Sequence, residues 1–173
     1  MFSGKTSALI NIAKINKMIC KKVMIINYIG DSRYSESTYI TTHDKISLDC
    51  EQSETDIMTM ATMETFLDSE VICINEGQFF KNLVEFCKIA ASLNKHVHVC
   101  GLDGDYLKRP FGEILNLIPH CETVQKLNAI CMSCKDGTPA CFTKKILITS
   151  SDNLIQIGST DIYLPVCRKC YDN

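Results

Sequence analysis

The stretch VICINEGQFF, at positions 71–80, constrains the fold of this chain more than any other. It opens with four apolar residues rich in β-branched side chains, a pattern typical of a strand buried on both faces of a parallel sheet. The strand is expected to end where Asn75, Glu76 and Gly77 interrupt the apolar run. Open α/β sheets bind their ligands at the carboxyl ends of such strands, so Glu76 is a candidate site residue. A strand that simply ends in a polar turn would give the same pattern.

Helical and strand-like patterns alternate on both sides of this stretch. A helix is predicted around residues 8–15, where apolar side chains recur at helical spacing before a group of lysines. The other predicted elements are strands at 22–28 and 96–101, helices at 56–67, 82–93 and 113–118, and loops at 30–37 and 102–112. This alternation indicates an α/β domain with a parallel sheet and helices on its faces.

Composition bounds the function classes. The chain has 173 residues, 46% of them hydrophobic, enough for one core domain with a small appendage. No apolar run is long enough to span a membrane, so we expect a soluble cytoplasmic protein, in the host cytoplasm if the chain is viral. A net charge of −2 argues against a general nucleic-acid-binding surface but leaves room for a local basic pocket that binds a small anion.

The N-terminus carries half of a phosphate-binding loop. Ser3-Gly4-Lys5-Thr6 matches the end of the pattern Gly-x-x-x-x-Gly-Lys-[Ser/Thr], in which backbone N–H groups and a helix N-terminus converge on phosphate oxygens. The lysine then contacts the β- and γ-phosphates, and the threonine lies on the magnesium side. Chance would also explain four residues. The first glycine and its strand would precede Met1, and we expect a truncated or mis-started version of a longer protein.

Two cysteine pairs indicate a metal site near the C-terminus. Cys131 and Cys134 form one C-x-x-C pair, Cys167 and Cys170 form another, and thirty-two residues lie between the pairs. Two such pairs can complete a closed tetrahedral zinc site, which is structural rather than catalytic. Redox-active or free thiols are the alternatives. The other seven cysteines are interpreted as small buried hydrophobic residues: Cys20, Cys50, Cys73, Cys87, Cys100, Cys121 and Cys141.

The region between the two cysteine pairs is predicted to form two strands, at residues 142–145 and 154–163, joined by a polar stretch at 149–153. That stretch is either a lid over a substrate or a surface excursion. The change of character after residue 122 divides the chain into a nucleotide-binding α/β domain, 1–122, and a smaller lobe, 123–173.

Taken in order, the half phosphate loop, INEGQFF, LDGDYLKRPFG, CMSC and VCRKCY resemble the type II thymidine kinase family over essentially the whole chain. The resemblance implies a P-loop, RecA-like sheet and a zinc lobe that carries a substrate-covering lasso loop. It implies ATP-dependent phosphorylation of thymidine, and of deoxyuridine as a second candidate, at the 5′-hydroxyl. ATP, Mg2+ and structural Zn2+ are then the expected cofactors, and a homotetramer is the expected assembly.

The resemblance also implies roles for single residues. Glu76 corresponds to the general base, and Thr6 to the hydroxyl on the magnesium side. The implied ATP-binding residues are Met1, Phe2, Ser3, Gly4, Lys5, Thr6, Asp31, Ser32, Arg33, Asn75 and Gln78. The implied substrate-binding residues are Phe79, Leu102, Tyr106, Phe111, Thr143, Leu154, Ile155, Gln156, Ile157, Gly158 and Tyr163. The implied zinc ligands are Cys131, Cys134, Cys167 and Cys170.

One departure bears on activity. Asn75 stands where the family usually has aspartate, and an amide oxygen brings no negative charge to magnesium. We expect weakened magnesium use and reduced turnover rather than loss of the fold. A catalytically impaired relative that binds nucleoside and zinc is therefore the alternative to a working kinase. A nucleic-acid-binding zinc ribbon fused to an ATPase-like fold is disfavoured by the net negative charge.

Overall fold

The computed structural model describes residues 2–30, 39–41, 46–146 and 162–173. These residues form two compact units. The larger unit contains the described residues of Lys5–Asp103 and Phe111–Val124, and the smaller unit contains those of Met1–Gly4, Gly104–Pro110 and Gln125–Asn173. None of the helices in the described parts of the chain combines the length and the apolar character of a membrane span.

A four-stranded parallel sheet forms the centre of the larger unit. Its strands are β1 (Val23–Tyr28), β4 (Glu51–Ser53), β5 (Val71–Ile74) and β6 (His96–Val99), in the order β4-β1-β5-β6. All four residues of β5 are buried, as the apolar run predicted. Strand β5 pairs with β1 through Val23 opposite Val71 and with β6 through Val71 opposite His96. The predicted α/β class with a central parallel sheet is confirmed.

Helices cover the two faces of this sheet. Alternate residues of a strand point to opposite faces, so Ile72 and Ile74 of β5 lie in one apolar cluster, and Val71 and Cys73 lie in the other. Helix α1 (Lys5–Met18) packs on the Val71 side through Leu9, Ile10 and Ala13. Helix α3 (Leu83–Ser92) packs on the Ile72 side through Leu83, Phe86 and Ala90.

The predicted helix at 56–67 is interrupted. A 3₁₀ helix spans Ile57–Thr62, the backbone of Met63 is extended (φ −73°, ψ 145°), and α2 spans Glu64–Asp68. The Thr59 hydroxyl donates to the Asp56 carbonyl and the Thr62 hydroxyl to the Thr59 carbonyl. Such local bonds compete with a regular α-helix, which explains why the apolar spacing alone overestimated its length.

Other short elements also differ from the sequence prediction. The predicted helix at 113–118 is a 3₁₀ helix, Ile114–His120, that contains Pro119. A hairpin of β2 (Tyr39–Thr41) and β3 (Ser47–Asp49), together with β4, lies between β1 and the 3₁₀ helix at Ile57–Thr62. These strands have three residues each, too few to display a period of two.

The smaller unit consists of two short hairpins and a terminal helix. Strands β7 (Ala129–Ile130) and β8 (Pro139–Ala140) pair, as do β9 (Phe142–Lys145) and β10 (Tyr163–Val166), and α4 spans Arg168–Asp172. The predicted strand at 142–145 is confirmed. The second prediction, 154–163, falls mainly outside the described residues, and β10 begins at its last residue. The buried core of this unit comprises Ala129, Cys131, Ala140, Val166 and Cys167.

The interpretation of seven cysteines as buried hydrophobic residues is partly wrong. Cys50 and Cys73 are buried, and Cys87 and Cys100 are half-buried. The remaining three are exposed: Cys20, Cys121 and Cys141. The residue type alone does not distinguish buried from exposed cysteines. The three exposed cysteines follow the ends of secondary-structure elements.

Candidate active site

A small polar network lies where the strands of the sheet end. Asn27 is the second-to-last residue of β1, and Asn75 and Cys100 directly follow β5 and β6. Asn75 Oδ1 accepts hydrogen bonds from Thr6 Oγ1 at 3.3 Å and from Cys100 Sγ at 3.1 Å. Asn75 Nδ2 donates to Asn27 Oδ1 at 2.8 Å. The structure thus brings together Thr6 and Asn75, two of the predicted site residues.

The Cys100 thiol is a hydrogen-bond donor in this network. Burial raises its pKa to about 12, and the negative charge of Glu76 acts in the same direction. The thiol therefore stays protonated at neutral pH and donates to Asn75. The sequence interpretation of Cys100 as an apolar core residue missed this role.

Glu76 lies directly beyond β5 in a left-handed backbone conformation, with φ 53° and ψ 40°. This conformation is uncommon for a residue other than glycine, and residues that adopt it are frequent at functional sites. It reverses the chain at the strand end, and the Gly77 N–H then donates to the Cys100 carbonyl at 3.0 Å. Glu76 is thereby fixed at the end of the sheet.

Gln78 connects Glu76 to the segment that follows β6. Its Nε2 donates to Glu76 Oε2 at 2.6 Å, and its Oε1 accepts from the Leu102 N–H at 2.9 Å. The side chain of Gln78 is buried, with 3% of its surface exposed. Gln78 was predicted to contact ATP, and its side chain in the structure bonds to Glu76 and to the backbone of Leu102.

Two glycines make room for Gln78. A Cβ at Gly101 would lie 2.6 Å from Gln78 Oε1, and a Cβ at Gly112 would lie 2.2 Å from the Gln78 carbonyl oxygen. Gly112 also has a φ of +59°, which a residue with a side chain adopts only with strain. Position 112 therefore requires glycine, and a side chain at Gly101 would displace the Gln78 amide.

An aromatic group lies next to this turn. The rings of Tyr28 and Phe79 stack with centroids 4.7 Å apart and an interplanar angle of 25°. Phe111 meets Phe79 edge-on at 5.5 Å. All three side chains are half-buried. The structure brings together the predicted pocket residues Phe79 and Phe111 and adds Tyr28, which the sequence analysis missed although it is an aromatic residue at the end of a strand.

The segment predicted as half of a phosphate loop leads into α1, the helix that the sequence predicted to follow it. Gly4 has a φ of +77°, and helix α1 begins at Lys5, so Lys5 and Thr6 lie in its first turn. The N-terminal end of a helix favours an anion because its N–H groups and the helix dipole point toward it. Phe2 has a φ of 53°, another left-handed backbone position. Met1 and the predicted phosphate contacts Asp31, Ser32 and Arg33 lie outside the described residues.

The four paired cysteines of the smaller unit converge. The sulfur atoms of Cys131, Cys134, Cys167 and Cys170 all lie within 4.8 Å of one another. Cys134 Sγ is 3.8 Å from Cys167 Sγ and 3.5 Å from Cys170 Sγ. A tetrahedral zinc ion with bonds of about 2.3 Å places its sulfurs roughly 3.8 Å apart, so the donor set fits zinc.

The pKa values of the cysteine thiols in this cluster also fit a bound cation. The Cys134 N–H donates to Cys131 Sγ and lowers the pKa of Cys131 to about 6, with a further contribution from the Cys167 N–H. Hydrogen bonds with the thiols of Cys170, Cys131 and Cys167 raise the pKa of Cys134 to about 12. Cys131 is therefore more readily ionised than Cys134, and four thiolates side by side would need a bound cation.

The other predicted substrate residues lie in the smaller unit or outside the described residues. The rings of Tyr106 and Tyr163 are 6.1 Å apart, and Thr143 pairs with Pro165 between β9 and β10. The Tyr171 hydroxyl donates to the Tyr106 carbonyl at 2.6 Å. The predicted lasso residues Leu154, Ile155, Gln156, Ile157 and Gly158 lie outside the described residues.

Comparison with known proteins gives one consistent family. The sequence model of a family described as "Thymidine kinase" matches residues 1–171. The chain is 38% identical over 171 residues to the cytosolic thymidine kinase of Cricetulus griseus, covering 99% of this chain and 69% of that protein. It is 40% identical over 171 residues to the thymidine kinase of Vaccinia virus (strain Ankara), covering 99% of this chain and 92% of that protein. The thymidine kinase of Monkeypox virus is 40% identical over 172 residues, with the same coverage of 99% and 92%.

Proposed function

The chain belongs to the thymidine kinase family, and on this premise we propose that it transfers the γ-phosphoryl group of ATP to the 5′-hydroxyl of thymidine. The observation that carries the proposal is the position of Glu76 at the carboxyl end of β5, next to the Thr6–Asn75 pair. A carboxylate and a phosphate-loop hydroxyl at one sheet edge are the elements that phosphoryl transfer requires.

Glu76 acts as the general base in this proposal. Its carboxylate takes the proton of the 5′-hydroxyl while the hydroxyl oxygen forms a bond to the γ-phosphorus, and the bond to the bridging oxygen breaks to release ADP. The hydrogen bond from Gln78 Nε2 to Glu76 Oε2 supports this role because it holds the carboxylate in one orientation. Gln78 is then a positioning residue rather than an ATP contact.

Phosphate binding falls to the start of α1. Lys5 would supply positive charge, and the N-terminal end of α1 would bind the phosphates, whereas the contacts of Phe2, Ser3 and Gly4 stay predictions from the family resemblance. Thr6 Oγ1 and Asn75 Oδ1 would hold Mg2+, which neutralises charge on the phosphates when it is bound. Oxygen donors are the ligands that magnesium prefers, so this pair fits the ion. The contacts of Met1, Asp31, Ser32 and Arg33 stay predictions from the family resemblance.

The aromatic group offers a surface for the nucleobase. Phe79 and Phe111, whose rings meet edge-on, and Tyr28, which stacks on Phe79, form an apolar wall that we assign to the nucleobase. Leu102 follows β6 and is tied to Gln78 through its N–H. Such a wall suits a pyrimidine, and deoxyuridine is a second candidate substrate. Roles for Tyr106, Thr143, Tyr163 and the lasso residues 154–158 stay predictions.

Zinc is proposed to stabilise the smaller unit. Four sulfurs leave no open coordination position, so the ion would contribute folding free energy and no catalytic step. The homotetrameric assembly and the cytoplasmic location also remain predictions from the resemblance.

Asn75 supports a second candidate function, that of a nucleoside- and zinc-binding relative with little turnover. The amide carries no charge, and its oxygen already accepts two hydrogen bonds. Both properties weaken it as a magnesium ligand relative to a carboxylate.

The two functions separate in one experiment. Thymidine binding is measured by calorimetry and ATP-dependent formation of thymidine monophosphate by chromatography, for the parent chain and for Glu76→Gln. A kinase forms product, and Glu76→Gln lowers the rate by about 10²- to 10⁴-fold, the contribution of a positioned base. Glu85→Gln is the matched control because Glu85 is an exposed carboxylate on α3 that pairs with Lys88 at 3.1 Å. Binding of thymidine by the parent without product would instead establish the second function.

A further inference from the structure

Asn27 is a buried polar residue that none of the roles above uses. It lies in an otherwise apolar stretch of β1 and has 3% of its surface exposed. Burying an amide is unfavourable unless its polar atoms find partners. Its Oδ1 has such a partner, because it accepts the 2.8 Å hydrogen bond from Asn75 Nδ2.

The partners of Asn75 define which way its amide faces. On one side lie two donors, the Thr6 hydroxyl and the Cys100 thiol, and only an oxygen can accept from them. On the other side lies the Asn27 oxygen, and only the NH2 group can donate to it. A flipped amide could still donate to the Thr6 hydroxyl oxygen, but it would turn its own oxygen toward Asn27 Oδ1 and lose the 2.8 Å bond, so Asn27 is the partner that distinguishes the two orientations.

This orientation matters because residue 75 is an amide. A carboxylate presents an oxygen to Thr6 in either flip state, whereas an asparagine presents either an oxygen or an NH2 group. An NH2 group next to Thr6 would repel a cation. An asparagine at this position therefore needs an acceptor on its far side, and Asn27 supplies it.

We propose that Asn27 is a positioning residue that holds Asn75 with its oxygen toward Thr6, on the side where a divalent cation would bind. The inference rests on the proposed function in one respect only, the assignment of the Thr6–Asn75 side to the cation. It adds a residue from a neighbouring strand that contacts neither the nucleotide nor the cation.

The test measures cation binding without turnover. Mn2+ binding is followed by electron paramagnetic resonance in the presence of a non-hydrolysable ATP analogue. Asn27→Leu removes the acceptor and keeps the branched shape of the side chain, and we expect about a tenfold loss of Mn2+ affinity, the lower end of the effect of losing an outer-shell partner. Asn27→Asp keeps an acceptor for Asn75 Nδ2, and its affinity should stay within a few-fold of the parent value.

A double substitution isolates the mechanism. When Asn27→Leu is made together with Asn75→Asp, its effect on Mn2+ affinity should largely disappear relative to Asn75→Asp alone. The proposal would be overturned if Asn27→Leu lowered Mn2+ affinity equally in the parent and in Asn75→Asp. It would also be overturned if Asn27→Leu alone left Mn2+ affinity unchanged. Ser69→Ala is the matched control, because Ser69 is also buried and donates to the Phe66 carbonyl at 2.8 Å before β5 begins. This control should leave Mn2+ affinity unchanged.

A measurement on the parent protein covers the case in which Asn27→Leu does not fold. Nuclear Overhauser effects from the side-chain NH2 protons of Asn75 should reach the β-protons of Asn27. If the NH2 protons of Asn75 instead gave nuclear Overhauser effects to the Thr6 methyl group and none to Asn27, the amide would be flipped and the proposal would be overturned. Because neither readout requires product formation, failure of the kinase assay and failure of this proposal are separate outcomes.

Discussion

Replacing Gln78 by leucine tests whether this side chain positions the base. The substitution removes the 2.6 Å hydrogen bond to Glu76 and leaves the Leu102 N–H without its 2.9 Å acceptor. A hydrogen bond to a charged group contributes about 1.5–3 kcal/mol, which corresponds to roughly a 10- to 150-fold lower kcat if all of it serves to orient the carboxylate. The unpaired Leu102 N–H costs about 1–3 kcal/mol of stability as well.

Steady-state kinetics distinguish this role from ATP binding. We expect Gln78→Leu to lower kcat while the KM for ATP stays within about twofold of the parent value, because the lost interaction orients the base and not the nucleotide. Gln78→Glu keeps an acceptor for the Leu102 N–H but places a second carboxylate next to Glu76. Two adjacent carboxylates raise a pKa of the pair, so the acid limb of the kcat/KM profile should move to higher pH.

The opposite kinetic pattern would refute this reasoning. A raised KM for ATP with unchanged kcat in Gln78→Leu would mean that Gln78 contacts the nucleotide, as the family resemblance implies. Gln52→Leu is the control, because Gln52 lies on β4 in the same sheet and its side chain donates a long 3.6 Å hydrogen bond to Cys50, away from Glu76. It should leave both kinetic constants unchanged.

Three further predictions follow from the described residues. Asn75→Asp adds a negative charge beside Thr6, so the Mg2+ concentration for half-maximal activity should fall and kcat should rise; an unchanged magnesium curve would contradict this. Burial raises the pKa of the Cys73 thiol from 9.0 to about 12, so above pH 9 the unfolded chain releases a proton that the folded chain keeps. Urea unfolding between pH 8 and about 10.5 should therefore show a free energy of unfolding that falls with pH, by up to about 1.4 kcal/mol per unit for each such thiol. The free energy of unfolding should fall less steeply with pH in Cys73→Ala, and an identical pH dependence in parent and variant would contradict the raised pKa of Cys73. Chelation should release one zinc ion per chain and remove hydrogen-exchange protection from β9 and β10 while β5 stays protected, because a core of five small or medium side chains depends on its metal. Protection that survives loss of the metal would contradict a structural role.

The sequence predicted those elements whose residues carry a clear pattern. Strand β5 was predicted from its unbroken apolar run, and helices α1 and α3 were predicted because their apolar residues recur at helical spacing. The 3₁₀ helix at Ile57–Thr62 was not predicted, because threonine hydroxyl bonds to the backbone decided its geometry. The short strand β4 was missed since three residues display no period.

The family motifs in the sequence predicted the site residues that stand in those motifs. They did not predict residues whose role depends on a contact with a neighbouring strand. Glu76, Asn75 and Thr6 stand in recognisable motifs, and the structure brings Thr6 and Asn75 together. Asn27 and Cys100 belong to apolar runs and acquire polar roles only because neighbouring strands place them beside Asn75. Contacts between strands depend on register, which a single sequence does not display.

The most direct test of the proposed function is the transfer of radiolabel from [γ-32P]ATP to the 5′-oxygen of thymidine. The parent chain should form labelled thymidine monophosphate, and Glu76→Gln should lose this activity while it still binds thymidine, because the carboxylate at the end of β5 removes the hydroxyl proton. Equal labelling by the parent and by Glu76→Gln would show that Glu76 is not the base. No labelling by the parent in the presence of Mg2+ would contradict the kinase function itself.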